Sequence, residues 1–133
     1  MSKYVIVDTS VWVRYLRGVD CNEVNILDNL LASDSVLLVP VLFQEILQGI
    51  ISENEYQKII GLLDSLKQHN EDIKPISILA ANIYRLGQKK GVTVRKANDC
   101  LIAAYGIFLN YPILHLDRDY NNIAKYTSLK IYK

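Results

Sequence analysis

The chain has 133 residues, 50% hydrophobic and 22% charged, and a formal net charge of +1. That profile fits one folded domain spanning residues 1–133; it excludes a disordered chain, and the near-neutral balance excludes a strongly basic protein that coats nucleic acid. A domain of this length hides about two thirds of its unfolded surface, so neither disulfides nor a structural metal is needed for stability.

In chain order, the β-rich runs Tyr4 to Val7 and Ser35 to Val39 flank a helical stretch from about Thr9 to Ala32. Within it Val24, Leu27, Leu30 and Leu31 recur at helical spacing, and Asp20 and Glu23 give an acidic first turn. Both β runs are continuously apolar, as expected of a parallel sheet covered on both faces. After Pro40 three amphipathic helices are predicted, Val41 to Ile51, Glu55 to Gln68 and Ile78 to Lys90, with a short strand near Asp72 to Ile76. Asn98 to Leu109 reads as helix, Ile113 to Leu116 as strand, Asp119 to Lys125 as a short helix and Leu129 to Tyr132 as a last strand. This alternation predicts an α/β domain.

Cys21 and Cys100 fit no metal-ligand or redox spacing, and the start MSKYVIVD lacks a signal-peptide pattern. A reducing cytoplasm is the expected location. No apolar run approaches the ~20 residues that cross a bilayer, so no membrane partner is expected.

Acids stand at four places where chemistry is expected. Asp8 ends the first strand, at the sheet edge where α/β proteins bind ligands; the competing reading makes it the N-cap of the next helix, with Thr9 and Ser10 sharing that task. Glu45 lies among apolar neighbours in FQEILQGI, where a charge needs a partner; otherwise it belongs to a polar stripe with Gln44 and Gln48. Asp99 opens a helix in RKANDCLIAAY, where Asn98 or Asp99 could serve simply as its cap. In ILHLDRDY a second short strand empties into Asp117 and Asp119, and Asp119 could equally cap the following helix. His69 and His115 are the only histidines, so a His-rich zinc site is not expected.

Two carboxylates ~5 Å apart repel by roughly 3 kcal/mol at an effective dielectric near 20. Four acids at one edge therefore call for protons or a cation, and an all-oxygen donor set suits a hard ion, Mg²⁺ or Mn²⁺. Such an ion leaves room for a phosphate oxygen and an attacking water, which points to phosphodiester hydrolysis. Asp8 and Asp99 are the expected principal ligands, Asp117 completes the pocket, and Glu45 holds or activates the water. Arg95 and Lys96, with Lys89 and Lys90, form a local basic cluster that would grip a phosphate backbone or merely be solvated. Arg14 and Arg17 would face that backbone or a protein partner's carboxylate, or be solvated at the surface.

The start VIVDTSVWV, Glu45 in FQEILQGI, NDCLIAAYG with Asp99, and the ending ILHLDRDYNNIAKYTSLKIY together resemble the PIN-domain ribonucleases, most closely the VapC-type toxins of toxin-antitoxin modules. The resemblance covers nearly the whole chain. It implies a three-layer α/β/α domain with a central parallel sheet of about five strands. Asp8, Glu45, Asp99 and Asp117 match the family's acidic quartet. By the same resemblance Asp119 is a fifth member and metal ligand, and Thr9 or Ser10 orients the first aspartate or its water. The resemblance further implies RNA cleavage with Mg²⁺ or Mn²⁺, a homodimer, and a cognate antitoxin partner whose tail enters the groove. Tyr120 stands where the family often has phenylalanine and is expected to keep the packing role. A PIN-fold protein that binds RNA or antitoxin without cutting is the alternative; an aspartic protease is excluded by the helical periodicity between residues 20 and 110.

Overall fold

A computed structural model describes residues 3–133. Its four-stranded sheet has the order β3-β2-β1-β4, with β1 at Val5–Val7, β2 at Val36–Leu38, β3 at Lys67–Gln68 and β4 at Ile113–Leu114. Every pairing is parallel, in the registers Val5↔Val36, Leu37↔Lys67 and Ile6↔Ile113. All residues of β1, β2 and β4 are buried, because helices cover both faces of the sheet as parallel sheets require. The expected fifth strand, Leu129 to Tyr132, is reduced to one parallel bridge, Ile113↔Ile131. Two backbone hydrogen bonds hold it there, Ile113 N to Lys130 O (3.0 Å) and Tyr132 N to Ile113 O (2.9 Å).

The predicted helical stretch from Thr9 to Ala32 is two helices, α1 (Thr9–Leu16) and α2 (Asn22–Ala32). Gly18 breaks it at φ +73°, a left-handed conformation that glycine adopts without steric cost. Pro40 opens α3 (Pro40–Gln48), where its missing N–H costs nothing, and Ser52 caps α4 (Glu53–Asp64) through a bond from Glu55 N.

The short strand expected near Asp72 to Ile76 is not there. Asp72 accepts a hydrogen bond from Lys74 N and Pro75 sets the first turn of α5 (Lys74–Lys89), so this segment starts a helix. The strand falls earlier, at β3, where Ser65 has ended α4 before the predicted Gln68. The remaining helices, α6 (Ala97–Leu109) and α7 (Arg118–Ala124), agree with expectation to within two residues.

One apolar core joins the strands to Trp12, Leu42, Leu63, Ile102 and Tyr120. From β1 the chain passes through β2 to β3 on one side, then returns across to β4 on the other. The β1/β4 boundary is thus a topological switch point, and Asp8 leaves the carboxyl end of one of those strands while Asp117 follows the other.

Candidate active site

Asp8 is 3% exposed, and its two oxygens have different duties. Oδ2 accepts a hydrogen bond from Ser10 N at 3.0 Å and caps α1, while Oδ1 accepts one from the Tyr120 hydroxyl at 2.7 Å. The capping and the functional readings of this residue therefore describe one side chain, whose cap fixes the rotamer that aims the other oxygen inward.

The α6 helix supplies Asp99 in its first turn. Neither Asn98 nor Asp99 caps that helix: its N-cap is Lys96, which gives no side-chain cap bond. Asp99 is 2% exposed; Oδ1 lies 3.3 Å from the Tyr120 hydroxyl, and Oδ2 is buried with no hydrogen-bond partner among the described residues. A carboxylate oxygen left in that state costs stability, so the residue is held for something other than capping.

Glu45 projects from α3 and is partly buried. Oε1 accepts from the Thr9 hydroxyl at 2.8 Å, and Oε2 accepts from Asn98 Nδ2 at 3.0 Å. With an uncharged donor on each oxygen, the carboxylate is oriented without being neutralised, and the polar-stripe reading with Gln44 and Gln48 gives way to this one.

Asp117 caps α7 through Asp119 N (3.0 Å) and is ion-paired to Arg95 Nη2 and Lys96 Nζ, both at 3.2 Å. Asp119, 4% exposed, faces Arg95 Nε at 3.4 Å through Oδ2. The Ser10 hydroxyl accepts from Leu116 N, and His115 Nδ1 accepts from Asp117 N, both at 3.0 Å, which ties the loop after β4 to the start of α1.

Five acids thus face one region with two cations among them, so burial and mutual repulsion govern the titrations. Burial, followed by Asp8, pushes the Asp99 carboxyl up to about 7 against the opposing pull of Lys96. Asp117 goes the other way: burial works against its charge, but the Asp119 amide, Lys96 and Arg95 outweigh that and hold it below the usual aspartate value. Burial also opposes the charge on Lys96, and Asp99 with Asp117 more than compensates, leaving its ammonium above the usual lysine value. Burial lowers His115, in keeping with the neutral ring that its bond from Asp117 N requires, and burial beside Asp8 and Asp99 keeps the Tyr120 phenol protonated.

The donor set fits a hard divalent cation. One oxygen each from Asp99, Asp117 and Asp119 lies within 4.8 Å of the others, and Asp99 offers the unpartnered Oδ2. Asp8 stands outside that trio, linked to Asp99 through the Tyr120 hydroxyl.

Asp8 and Asp99 therefore share the Tyr120 hydroxyl, Asp117 and Asp119 share Arg95, Lys96 joins Asp117, and Glu45 is held by Thr9 and Asn98, the chain neighbours of Asp8 and Asp99. The Thr9 and Ser10 hydroxyls are engaged within the protein, on Glu45 and on Leu116 N. Lys89 and Lys90 lie exposed at the end of α5, Arg14 bonds to Ser10 O on its own helix, and Arg17 borders an apolar groove. Sequence reading missed Asn98 and the Tyr120 hydroxyl. The tyrosine in place of phenylalanine was the visible sign of the second, and nothing in the spacing marked the first.

The family model described as "PIN domain" matches residues 5–126. VapC ribonuclease Mb1587 of Mycobacterium bovis and ribonuclease VapC11 of Mycobacterium tuberculosis are each 34% identical over 128 residues, covering 95% of this chain and 96% of theirs. Among solved structures, VapBC2 from Rickettsia felis bound to a promoter DNA fragment superposes with a TM-score of 0.76 at 15% identity, covering 97% of both chains. FitAcB from Neisseria gonorrhoeae gives 0.72 at 19%, covering 97% of this chain and 96% of the other. At those identities the structural likeness speaks for the fold alone.

Proposed function

The chain belongs to the PIN-domain family, and from that premise we propose that it is a metal-dependent endoribonuclease acting as the toxin of a type II toxin-antitoxin module. The observation that carries this reading is the unpartnered, buried Asp99 Oδ2 beside Asp117 and Asp119, a set of oxygens suited to a bound cation. The 34% identity to VapC ribonucleases along nearly the whole length supports the toxin assignment.

In this reading Asp99, Asp117 and Asp119 hold Mg²⁺ or Mn²⁺, with Asp8 completing the acidic wall. When bound, the ion neutralises phosphate charge and lowers the pKa of water. Glu45, fixed between Thr9 and Asn98, takes a proton from the attacking water as the water oxygen bonds to phosphorus; the phosphorus–oxygen bond to the ribose breaks and the departing alkoxide takes a proton from solvent. Tyr120 keeps the Asp8 and Asp99 oxygens in place, and the Ser10 amide fixes the Asp8 rotamer.

A cognate antitoxin is the proposed protein partner. An open groove of about 430 Å³ beside α1, α3 and α4, bordered by Val13, Leu16, Ile46 and Ile50, leaves Ile51 99% exposed, and supports a partner with an apolar face and an acid for Arg17. The reading further makes the protein a cytoplasmic homodimer of one PIN domain.

The test is incubation of the purified protein with total RNA in Mn²⁺ or Mg²⁺, with and without EDTA, beside the Asp8→Asn and Asp99→Asn variants. Cleavage by the wild type alone, abolished by EDTA, is expected. Cleavage that survives chelation would remove the metal from the mechanism, and RNA binding without cleavage under any divalent ion would favour a docking protein.

A further inference from the structure

Arg95 and Lys96 are neighbours at the entrance to α6, with side chains 57% and 58% exposed, yet both reach carboxylates that are nearly sealed from water. Arg95 spans Asp117 Oδ1 at 3.2 Å and Asp119 Oδ2 at 3.4 Å, and Lys96 takes Asp117 Oδ2 at 3.2 Å. Asp117 and Asp119 are the acids that join Asp99 in the trio suited to a divalent ion. Two monovalent cations on flexible stems therefore sit on groups that a divalent ion would take. Adding two more positive charges to a site that already holds two is costly, so ion binding weakens the hold of Arg95 and Lys96.

A second observation concerns the space beside Arg95. Arg95 also borders an open pocket of about 370 Å³, together with Thr93, Arg118, Asp119 and Asn122. Arg118 is exposed and makes no side-chain hydrogen bond or ion pair among the described residues. Two guanidinium groups, a hydroxyl and an amide at one opening are donors for phosphate oxygens, and with Asp119 committed to an ion the pocket is cationic.

We propose that Arg95 and Lys96 are exchangeable counter-ions of the acidic site: they hold Asp117 and Asp119 until a divalent ion binds, and are then released to grip RNA phosphates, Arg95 in the pocket it shares with Arg118. This rests on the ribonuclease reading and adds a coupling to it. Ion and RNA each strengthen the other's binding, and by linkage the factor is the same in both directions.

The experiment pairs a Mn²⁺ titration by calorimetry with fluorescence anisotropy of a labelled single-stranded RNA, the latter in a Glu45→Gln background so that the probe survives. In the Arg95→Ala/Lys96→Ala variant Mn²⁺ should bind about fivefold tighter without RNA, since the competing cations are gone. With Mn²⁺ saturating, the log–log salt slope of RNA binding should fall by about 1.4, roughly 0.7 for each lost phosphate contact. In EDTA the slopes of variant and parent should coincide, because the parent's two side chains are then held by Asp117 and Asp119. Arg95→Lys/Lys96→Ala, which keeps one of the two charges, should restore about half the lost slope and guards against a folding artefact. Unchanged or weaker Mn²⁺ binding in the double variant, or a slope difference that persists in EDTA, overturns the exchange. If the wild type cuts RNA under those outcomes, the exchange alone fails; if it neither cuts nor binds RNA with Mn²⁺, the ribonuclease reading fails with it.

Discussion

The Tyr120 hydroxyl donates to Asp8 Oδ1 at 2.7 Å from a ring that is fully buried, and the same oxygen lies 3.3 Å from Asp99 Oδ1. One phenolic proton thus serves two carboxylates brought from opposite ends of the chain. Tyr120→Phe keeps the packing and removes the donor, which should cost about 1.5–3 kcal/mol, the range for a hydrogen bond to a charged group. The melting temperature in EDTA should fall accordingly, and saturating Mn²⁺ should narrow the gap to wild type. Equal stability of the two proteins in EDTA would reduce Tyr120 to a packing residue.

Glu45 depends on two donors that approach from different helices, Thr9 on α1 and Asn98 on α6. Thr9→Val preserves shape and deletes one of them. Turnover should drop on the order of 10- to 100-fold through misplacement of the carboxylate, with KM for RNA little changed. Thr9→Ser should recover most of the rate, because the hydroxyl returns. A Thr9→Val enzyme whose loss lay in KM would place the hydroxyl against RNA instead.

Much of this site was legible before any coordinates, for a definite reason. Asp8 and Asp117 follow short apolar strand runs and Asp99 lies in the first turn of an apolar helix, positions that hydropathy patterning makes visible. Glu45 was readable because a charge among Phe43, Ile46 and Leu47 needs an explanation. What was not legible depends on contacts between residues far apart in sequence. Asn98 reaches Glu45 across 53 positions and Tyr120 reaches Asp8 across 112, and no local pattern records either. The misplaced strand has the same origin: β3 has only Lys67 and Gln68, without apolar character, and it exists because Leu37 and Leu38 offer a free edge.

Gly87 lies buried on α5, where an added Cβ would meet the Tyr126 hydroxyl at 2.6 Å and Val92 O at 2.9 Å. The first can yield by side-chain motion, but the second is the backbone of the loop that leads to Arg95. Gly87→Ala should therefore destabilise the fold by about 1–3 kcal/mol despite alanine's better helix propensity. It should also shift the loop and weaken RNA binding in Mn²⁺. A variant more stable than wild type would show that the loop accommodates the methyl group.

Asp99 gives the metal-free protein an unusual pH dependence. Its carboxyl titrates near 7 in the folded chain against 3.8 for a free aspartate, so between those values the unfolded state has released a proton that the native state keeps. The unfolded state then binds fewer protons, and stability must fall as pH rises through that window. Asp117 acts at lower pH with the opposite sign: its depressed value contributes stability above the ordinary aspartate range, lost as the solution becomes more acidic. In EDTA the melting temperature should accordingly peak near about pH 4, decline through pH 7 and level off above it. Asp99→Asn should flatten that decline and, at pH 8, raise the melting temperature by roughly 5 °C, equivalent to about 1–2 kcal/mol. Saturating Mn²⁺ should reverse the slope for the wild type, since the ion binds the ionised carboxylate and competes with its proton. Thermal melts in EDTA at five pH values measure this directly, and a wild-type curve still rising between pH 5 and 8 would mean that Asp99 is ionised throughout, with its charge already balanced by Lys96.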